Sequence, residues 1–338
     1  MPSDTTIDET RAGAAAPRPA DRARARSPAA GIVKVNQQGA FAIRLVALSV
    51  MLVPFAGFVE AVRLTLVGQV TMTAWVLFAV MYFIHMAGVS MGFHRMAAHL
   101  AFKAGRATKL AMLIAGSTAA QGPLLYWVAT HRRHHAFSDR EGDPHSPHLK
   151  DGPMAKLRGL WWSHMPWMLS EETSSWGRWA KDIMGDRTAF FVHRTYFVWL
   201  FAGLAVPAAV GGLVLGSWAG VWQGFIFGGL ARMFVANQFA WCVGSVCHMF
   251  GGRPFDNRDE STNSWWVAVF TFGEGLQNNH HAFPWWHRHG VKWFEPDLSG
   301  WLLTGMGKLG IVWGLRDPSP TKIARVRRKI PGAAAPSS

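Results

Sequence analysis

A chain of 338 residues in which half are hydrophobic, 16% are charged and 18 are tryptophan is a poor match for two water-soluble domains and points to lipid as part of the solvent. Its formal charge of +14 lies outside the apolar runs, in Arg18, Arg22, Arg24 and Arg26 near the start and Lys322, Arg325, Arg327, Arg328 and Lys329 near the end. Such basic flanks belong on the cytoplasmic face of a membrane protein, and with no nucleic-acid-binding module beside them they argue against a nucleic-acid partner.

Residues 1–38 are rich in Ala, Arg, Pro and Asp and carry no apolar h-region, which predicts a disordered basic tail and no cleaved signal peptide. Four stretches then approach the roughly 20 apolar residues that span the hydrocarbon core. They run from about Phe41 to Val62, Met72 to Phe93, Tyr196 to Leu215 and Val221 to Val246. An even number of spans puts both termini on one side. About 100 residues separate the second span from the third, and this segment is basic (Lys103, Arg106, Lys109, Arg132, Arg133, Lys150, Lys156, Arg158). By the positive-inside rule it joins the tails in the cytoplasm. Residues 106–128 within it are apolar but rich in small residues, predicting a helix at the interface and no fifth span. Residues 39–315 thus form one membrane domain, and residues 316–338 a basic, flexible tail. The two cysteines, Cys242 and Cys247, share one apolar segment and suggest no disulfide framework.

The chemistry is written in histidine. Seven of 15 histidines fall into three short words: His94 with His99; His131, His134 and His135; and His280 with His281, following Gln277. Neutral imidazole is the commonest metal-binding side chain. On an α-helix positions i, i+3 and i+4 share a face, so His131, His134 and His135 aim together, and Gln277, His280 and His281 repeat the spacing with an amide in first place. His94 and His99 are five apart, roughly 140° from each other on a regular helix; they straddle a helix end or address two metals. His248, after the fourth span, arrives at the same membrane face. Seven or eight imidazoles are more than one zinc ion needs and enough for two ions. Spacing alone leaves iron, zinc, copper and nickel open. His85 lies inside the second span, about 13 Å along the helix from His94, and is expected to be a hydrogen-bonded packing residue or part of a substrate wall. His148, His164, His193, His287 and His289 join no cluster and are expected at the surface or interface.

These words resemble the integral-membrane fatty-acid desaturases, specifically the branch that includes stearoyl-CoA delta-9 desaturases. The matching stretches are Gly92-Phe-His-Arg-Met-Ala-Ala-His99, His131-Arg-Arg-His-His-Ala-Phe-Ser-Asp139, Asp143-Pro-His145 and Gly273-Glu-Gly-Leu-Gln-Asn-Asn-His-His-Ala-Phe-Pro284, in order over about residues 40 to 315. The resemblance implies an all-α fold, four transmembrane helices under a cytoplasmic helical cap that holds a histidine-rich di-iron site, with O2 as co-substrate. Carried over, the ligands are His94, His99, His131, His134, His135, His248, His280 and His281. Two positions depart from the family: Gln277 stands where a ligand histidine is usual, and Gly244 where an asparagine reaches metal through water. Gln277 remains a candidate ligand, since related membrane desaturases have glutamine there, and the two departures are expected to compensate. Gln121, Trp127 and Trp241 match positions around the bend of the family's acyl tunnel, and Ala240 replaces its usual threonine. His145, Asn278 and Gly244 are expected just behind the ligands.

The resemblance further implies a cis double bond, at delta-9, placed in a saturated chain of an acyl-CoA or acyl-lipid. The chain's two cysteines cannot hold a four-thiolate cluster and no haem module is visible, so a separate electron donor of ferredoxin, rubredoxin or cytochrome type, with its reductase, is expected. Arg132, Arg133, Lys150, Lys156, Arg158, Arg288 and Lys292 are candidates for meeting phosphates or an acidic donor. Two rivals remain at this stage. A related di-iron hydroxylase begins with the same hydrogen abstraction. A metal transporter would instead place paired ligands near mid-membrane.

Overall fold

In the computed structural model, which describes residues 31–327, four helices are long and apolar enough to cross a bilayer: α1 Gln37–Leu66, α2 Met72–Ala98, α6 Tyr196–Leu215 and α7 Trp218–His248. Between the second and third lie α3 Arg106–Ser117, α4 Leu124–Phe137 and α5 Ala155–His164, and beyond the fourth α8 Gln277–Ala282, α9 Leu298–Lys308 and α10 Pro320–Val326. Asn36 caps α1 by accepting from Gly39 N at 2.8 Å, and Thr71 caps α2 by accepting from Ala74 N. Both caps satisfy amides that lipid could not.

The four spans are not equivalent. Only 22% of α1's apolar window and 17% of α6's is buried, against 56% for α2 and 67% for α7. The outer pair therefore faces lipid, with Leu52, Val59, Phe201 and Leu213 exposed, and the inner pair is free to carry polar groups. Both inner helices widen into π-helix, over Gly88–Ala98 in α2 and Gly224–Ala231 in α7. The π segment of α2 packs backbone to backbone on α3. A Cβ on Gly92 would come 2.6 Å from the Met112 carbonyl oxygen, so a side chain at 92 would push α3 away. The main core lies where this segment meets α3, α4 and α9, around Phe93, Leu113, Leu125, Val128 and Leu303.

A buried cation joins the spans. Arg232 of α7 is fully enclosed; it donates to the carbonyls of Gly228, Thr118 and Gly203 at 2.8–2.9 Å and to His85 Nδ1 at 3.1 Å. His85 is thus the expected hydrogen-bonded packing residue, and its partner is a guanidinium.

Three expectations need correction. Residues 106–128 are not one helix: α3 stops at Ser117, Ala120 and Gly122 take positive φ, and α4 begins at Leu124. Residues 31–38 are ordered, because Ile32–Lys34 pairs antiparallel with Glu172–Ser174 and Gln37 opens α1. Residues 316–327 are ordered too, since Ile323 and Val326 of α10 pack against the Phe255, Phe283 and Trp286 cluster. The rest of the two expected tails, residues 1–30 and 328–338, lies outside the described residues.

Candidate metal centre

The π-helix answers what the spacing of His94 and His99 left open. A turn of π-helix closes with an i→i+5 bond, here His99 N donating to His94 O at 3.1 Å. Residues five apart return to the same side. Their rings lie 4.8 Å apart, and both belong to one set, His94, His99, His131, His135 and His280, whose ligand atoms all lie within 4.8 Å of one another. Within it Nε2 of His94 is 3.0 Å from Nε2 of His280, which is 2.9 Å from Nε2 of His135, and Nε2 of His99 is 2.7 Å from Nε2 of His131.

A second set is formed by His134, His248 and His281. The helical spacing of α4 therefore splits its histidines, with His131 and His135 on the first set and His134 on the second, and α8 divides His280 and His281 likewise. Each ring of the second set is anchored from behind. His134 Nδ1 donates to both oxygens of Asp143 at 3.0 Å, His248 Nδ1 to Asp139 at 2.8 Å and His281 Nδ1 to Asp259 at 2.9 Å. In the first set His94 Nδ1 meets Glu274. A carboxylate on Nδ1 fixes the tautomer that leaves Nε2 as a lone pair. Nε2 of His134 and of His248 is buried and finds no hydrogen-bond partner among the described residues.

Protonation is set by the same surroundings. Burial, reinforced by neighbouring rings, holds His99, His131, His135 and His280 well below the usual imidazole range. Burial also lowers His281, to about 4, although Asp259 pulls the other way. At His134 burial opposes the charged form, but Asp143 outweighs it and raises the ring. Burial would raise the Asp143 carboxyl; the adjacent His134 overrides this and holds it at about 2. Asp139 and Asp259 are likewise held down by the rings they anchor, against burial.

Converging, buried imidazoles with their Nε2 atoms turned toward one another are a cation's environment. Nε2 atoms crowded within 3.0 Å of one another suit a shared cation, and an unpartnered buried nitrogen is costly. The residues fit metal ions.

Gln277 lies 3% exposed in the second set, its Nε2 3.0 Å from Nε2 of His281 and its Oε1 buried without a partner. Asn278 faces away, bonding Phe255 N, Phe255 O and Ser261 O, and so ties α8 to the loop before it. His145 stacks on His134 at 4.4 Å, beside Gly244.

A mostly apolar cavity of about 850 Å³ reaches both sets. His94, His131 and His134 face it, as do Gln121, Trp127, Ala240, Trp241, His145, Gly244 and Gln277. Trp127 stacks on His131 at 4.9 Å and donates to Gln121 at 3.0 Å. Gln121 donates in turn to Asn237, which donates to the Ala119 carbonyl. Ala42, Val46 and Val50 of α1 line the same space, as do Val33 and Val35.

Other expectations are overturned. His289 is fully enclosed, its ring 4.5 Å from His280 and 5.3 Å from His94, and His287 is 3% exposed. His164 is half-buried on Gln238 and Ser245. Arg132 and Arg133 do not offer themselves to phosphates. Arg132 grips Asp182 at 2.6 Å and the carbonyls of Ala97, Ala98 and Trp179, whereas Arg133 is buried on the Gly142 carbonyl with Glu172 at 3.7 Å. The sequence reading also passed over the anchors Asp139, Asp143, Asp259 and Glu274. It missed as well the buried Arg95, which bonds Asp297 at 2.8 Å, Glu274, and the His287 carbonyl. Asp139, Asp143, Arg95 and Glu274 all sit inside the quoted words, which was the available signal; Asp259 and Asp297 carried none.

Residues 70–296 match the family described as Fatty acid desaturase. Hex-5-enoyl-[acyl-carrier protein] acetylenase of Moorena producens (strain JHB) is 43% identical over 72% of this chain and 77% of its own. The sn-1 stearoyl-lipid 9-desaturase of Anabaena variabilis is 36% identical over 68% and 78%. An acyl-CoA C20 Delta5-desaturase of Anemone leveillei is 33% identical over 72% and 74%. Four apolar spans, two converging imidazole sets and these likenesses agree, and the chain belongs to the fatty acid desaturase family of oxidoreductases.

Proposed function

We propose that the protein is an oxygen-dependent fatty acyl desaturase that binds two iron ions and inserts a cis double bond, at delta-9, into a saturated chain carried on coenzyme A or a membrane lipid. The observation that carries this reading is that rings of both imidazole sets line one large, mostly apolar cavity. His94, His99, His131, His135 and His280 would hold one ion; His134, His248 and His281, with the Gln277 carbonyl oxygen, the other. Imidazole and amide oxygen without thiolate suit iron. Bound ferrous iron would supply the reducing power toward O2 and the hydrogen abstraction that no side chain can provide.

The chain's own residues do the placing. Trp127, held by Gln121 and through it by Asn237, fixes the cavity wall against His131, so one methylene pair of a threaded chain is presented to the centre and its neighbours are not. Orientation of this kind converts reactivity into positional selectivity. The apolar wall excludes water. Delta-9 placement draws support from the stearoyl-lipid 9-desaturase relative, and lipid or coenzyme A as carrier from the relatives so named. Electrons come from a separate ferredoxin, rubredoxin or cytochrome with its reductase. Both termini and the metal centre face the cytoplasm, as the basic flanks require.

The test is lipid mass spectrometry, with double-bond location, of a desaturase-deficient host expressing the chain aerobically with a working reductase. A new cis monoene that disappears with His134→Ala supports the reading, and unchanged lipids overturn it. A product heavier by one oxygen would identify a hydroxylase. Because one relative is named an acetylenase acting on a hex-5-enoyl chain, the same host should also be fed a monounsaturated acid; an alkyne product would place the activity one oxidation further on.

A further inference from the structure

Beyond the fourth span the chain makes an excursion that closes on itself. Ser264 N donates to the Gly275 carbonyl at 2.8 Å and Asn263 bridges Leu276, so residues 264–275 leave and return through one neck. The neck sits at the end of α7, where the Cys247 carbonyl accepts from Thr262 N at 2.7 Å. The outgoing limb is the short helix Trp265–Phe270, and Phe272 and Gly273 turn the chain back with positive φ. No charged residue lies between Ser261 and Gly273. We propose that this excursion is a re-entrant hairpin, inserted among lipid acyl chains from the side of the metal centre to the middle of the bilayer.

Two spans measure its depth. A polar knot marks the far surface: Gln223 accepts from Thr71 and donates to the Gln69 carbonyl, with Glu60 paired to Arg63 nearby in sequence on α1. Tyr82 lies about 15 Å along α2 from Met72, half of a hydrocarbon core about 30 Å thick. Its hydroxyl donates to the Phe270 carbonyl at 2.7 Å, and its ring is 6.3 Å from that of Phe272. Measured from the other face, Phe239 lies about 14 Å along α7 from His248, and it stacks on Phe270 at 4.4 Å. Both rulers put the tip deep between the spans. A water-soluble partner does not reach that depth; acyl chains do.

The two limbs are built differently, as lipid requires. Trp265, Trp266, Val269 and Phe270 are exposed on the helix, whereas Val267 and Ala268 are enclosed. The exposed side continues the lipid-facing surface of α2, where Val80 and Phe83 are exposed and the Phe83 ring is 5.4 Å from Phe272. The returning limb is irregular, and from Gly273 to Leu276 it is buried in protein. Irregular backbone at membrane depth is tolerated only when enclosed in this way. At the turn, the Val267 carbonyl accepts from Thr271 N and Oγ1, Ala268 from Gly273 N, Thr271 from Glu274 N and Phe272 from Ser299 N. A Cβ on Gly275 would come 2.2 Å from Ala268 N, so the returning limb lies against the helix backbone. That limb carries Glu274, which meets His94 and Arg95, and runs straight into Gln277, His280 and His281. Lipid therefore supports the element that delivers these residues.

The experiment uses the full chain in nanodiscs of phosphatidylcholine and phosphatidylglycerol, with a nitroxide on Val269→Cys. Power-saturation EPR reads its accessibility to O2, which concentrates in lipid, against a water-soluble nickel chelate. Val80→Cys is the lipid reference and Glu260→Cys the water reference; the unsubstituted chain, with Cys242 half-buried and Cys247 buried, sets the background. An O2-to-nickel ratio at 269 matching that at 80 supports the hairpin. A ratio matching that at 260 overturns it, and so does a label shielded from both reagents, since protein would then cover the helix. A label-free measurement stands beside this one in case the cysteine perturbs folding. The emission lost in the conservative double variant Trp265→Phe, Trp266→Phe should be the part quenched by phospholipids brominated at mid-chain; quenching of that part by aqueous iodide instead overturns the proposal. Neither readout depends on metal or turnover, so failure of the desaturase reading would leave both results standing.

Discussion

At the scale of single residues, the centre is built from pairs: an imidazole that faces the other rings and a carboxylate that aims it. Asp143→Asn would leave His134 without a fixed tautomer. Second-shell changes of this kind cost ten- to a hundredfold in metal affinity, and that is the expected outcome for iron titration, confined to the three-histidine site. His289→Leu tests a residue that sequence spacing had left at the surface. Its ring packs beside His280 and His94 with Nδ1 3.8 Å from Glu274, and neither nitrogen makes a hydrogen bond among the described residues, so an apolar replacement of similar size should keep the fold; the effect to look for is a shift of the five-imidazole signal in the Mössbauer spectrum of the iron-loaded chain. The ligand histidines were legible because three short words recur at helical spacing. Their aspartates were not, because an acidic residue near a histidine in sequence says nothing about which ring it will face. Asp259 meets His281 from 22 positions away.

At the scale of elements, π-helix decides which histidines cooperate. A regular α-helix would have turned His94 and His99 apart; the wider turn returns them to one imidazole set, and no feature of composition announces it. Gly92→Val probes the packing that accompanies this turn. With a Cβ 2.6 Å from the Met112 carbonyl oxygen, α2 and α3 must separate. Overpacking costs roughly 1–3 kcal/mol, and the expected signs are a lower melting temperature in detergent and loss of iron from the five-imidazole site before the other. A second element gives a pH dependence. Asp186 caps the helix Arg187–Arg194 by accepting from Thr188 N and Ala189 N, and it pairs with Lys109 Nζ at 2.6 Å. Burial works to raise this carboxyl, but Lys109 and the cap amides lower it below its ordinary value. The folded form thus binds the proton less readily than the unfolded one, so the cap's contribution is full above about pH 4 and fades as pH falls through the lower, folded value. Asp186→Ala should cost about 0.5–2 kcal/mol at neutral pH and less in acid, as thermal unfolding at the two pH values would show.

At the scale of the whole molecule, the spans were readable from apolar length, with the third placed to the residue and the others within a few positions. What hydropathy could not show is that α2 and α7 are the enclosed pair, or that a guanidinium sits among them. Arg232→Met removes four hydrogen bonds from acceptors on α2, α6, α7 and the end of α3. Loss of roughly 1–3 kcal/mol is expected, read as a lower melting temperature with two irons still bound in the folded fraction. The cavity gives a second test at this scale. Along α1 its lining extends from Ala42 to Val50, about 12 Å of helix, so bulk added on this helix would take space from a bound chain. Val50→Trp should shift the product profile toward shorter acyl chains, with double-bond position unchanged, in fatty-acid methyl ester analysis.

The strand Ile32–Lys34 sits beside Glu172–Ser174 and lends Val33 to the lining of the cavity, although it comes from a stretch whose composition reads as a loose leader. The doorpost is therefore built by one part of the polypeptide and the furnace by another. Evolution or an engineer can recut this wall, changing the shape offered to a guest, without touching any histidine of either set.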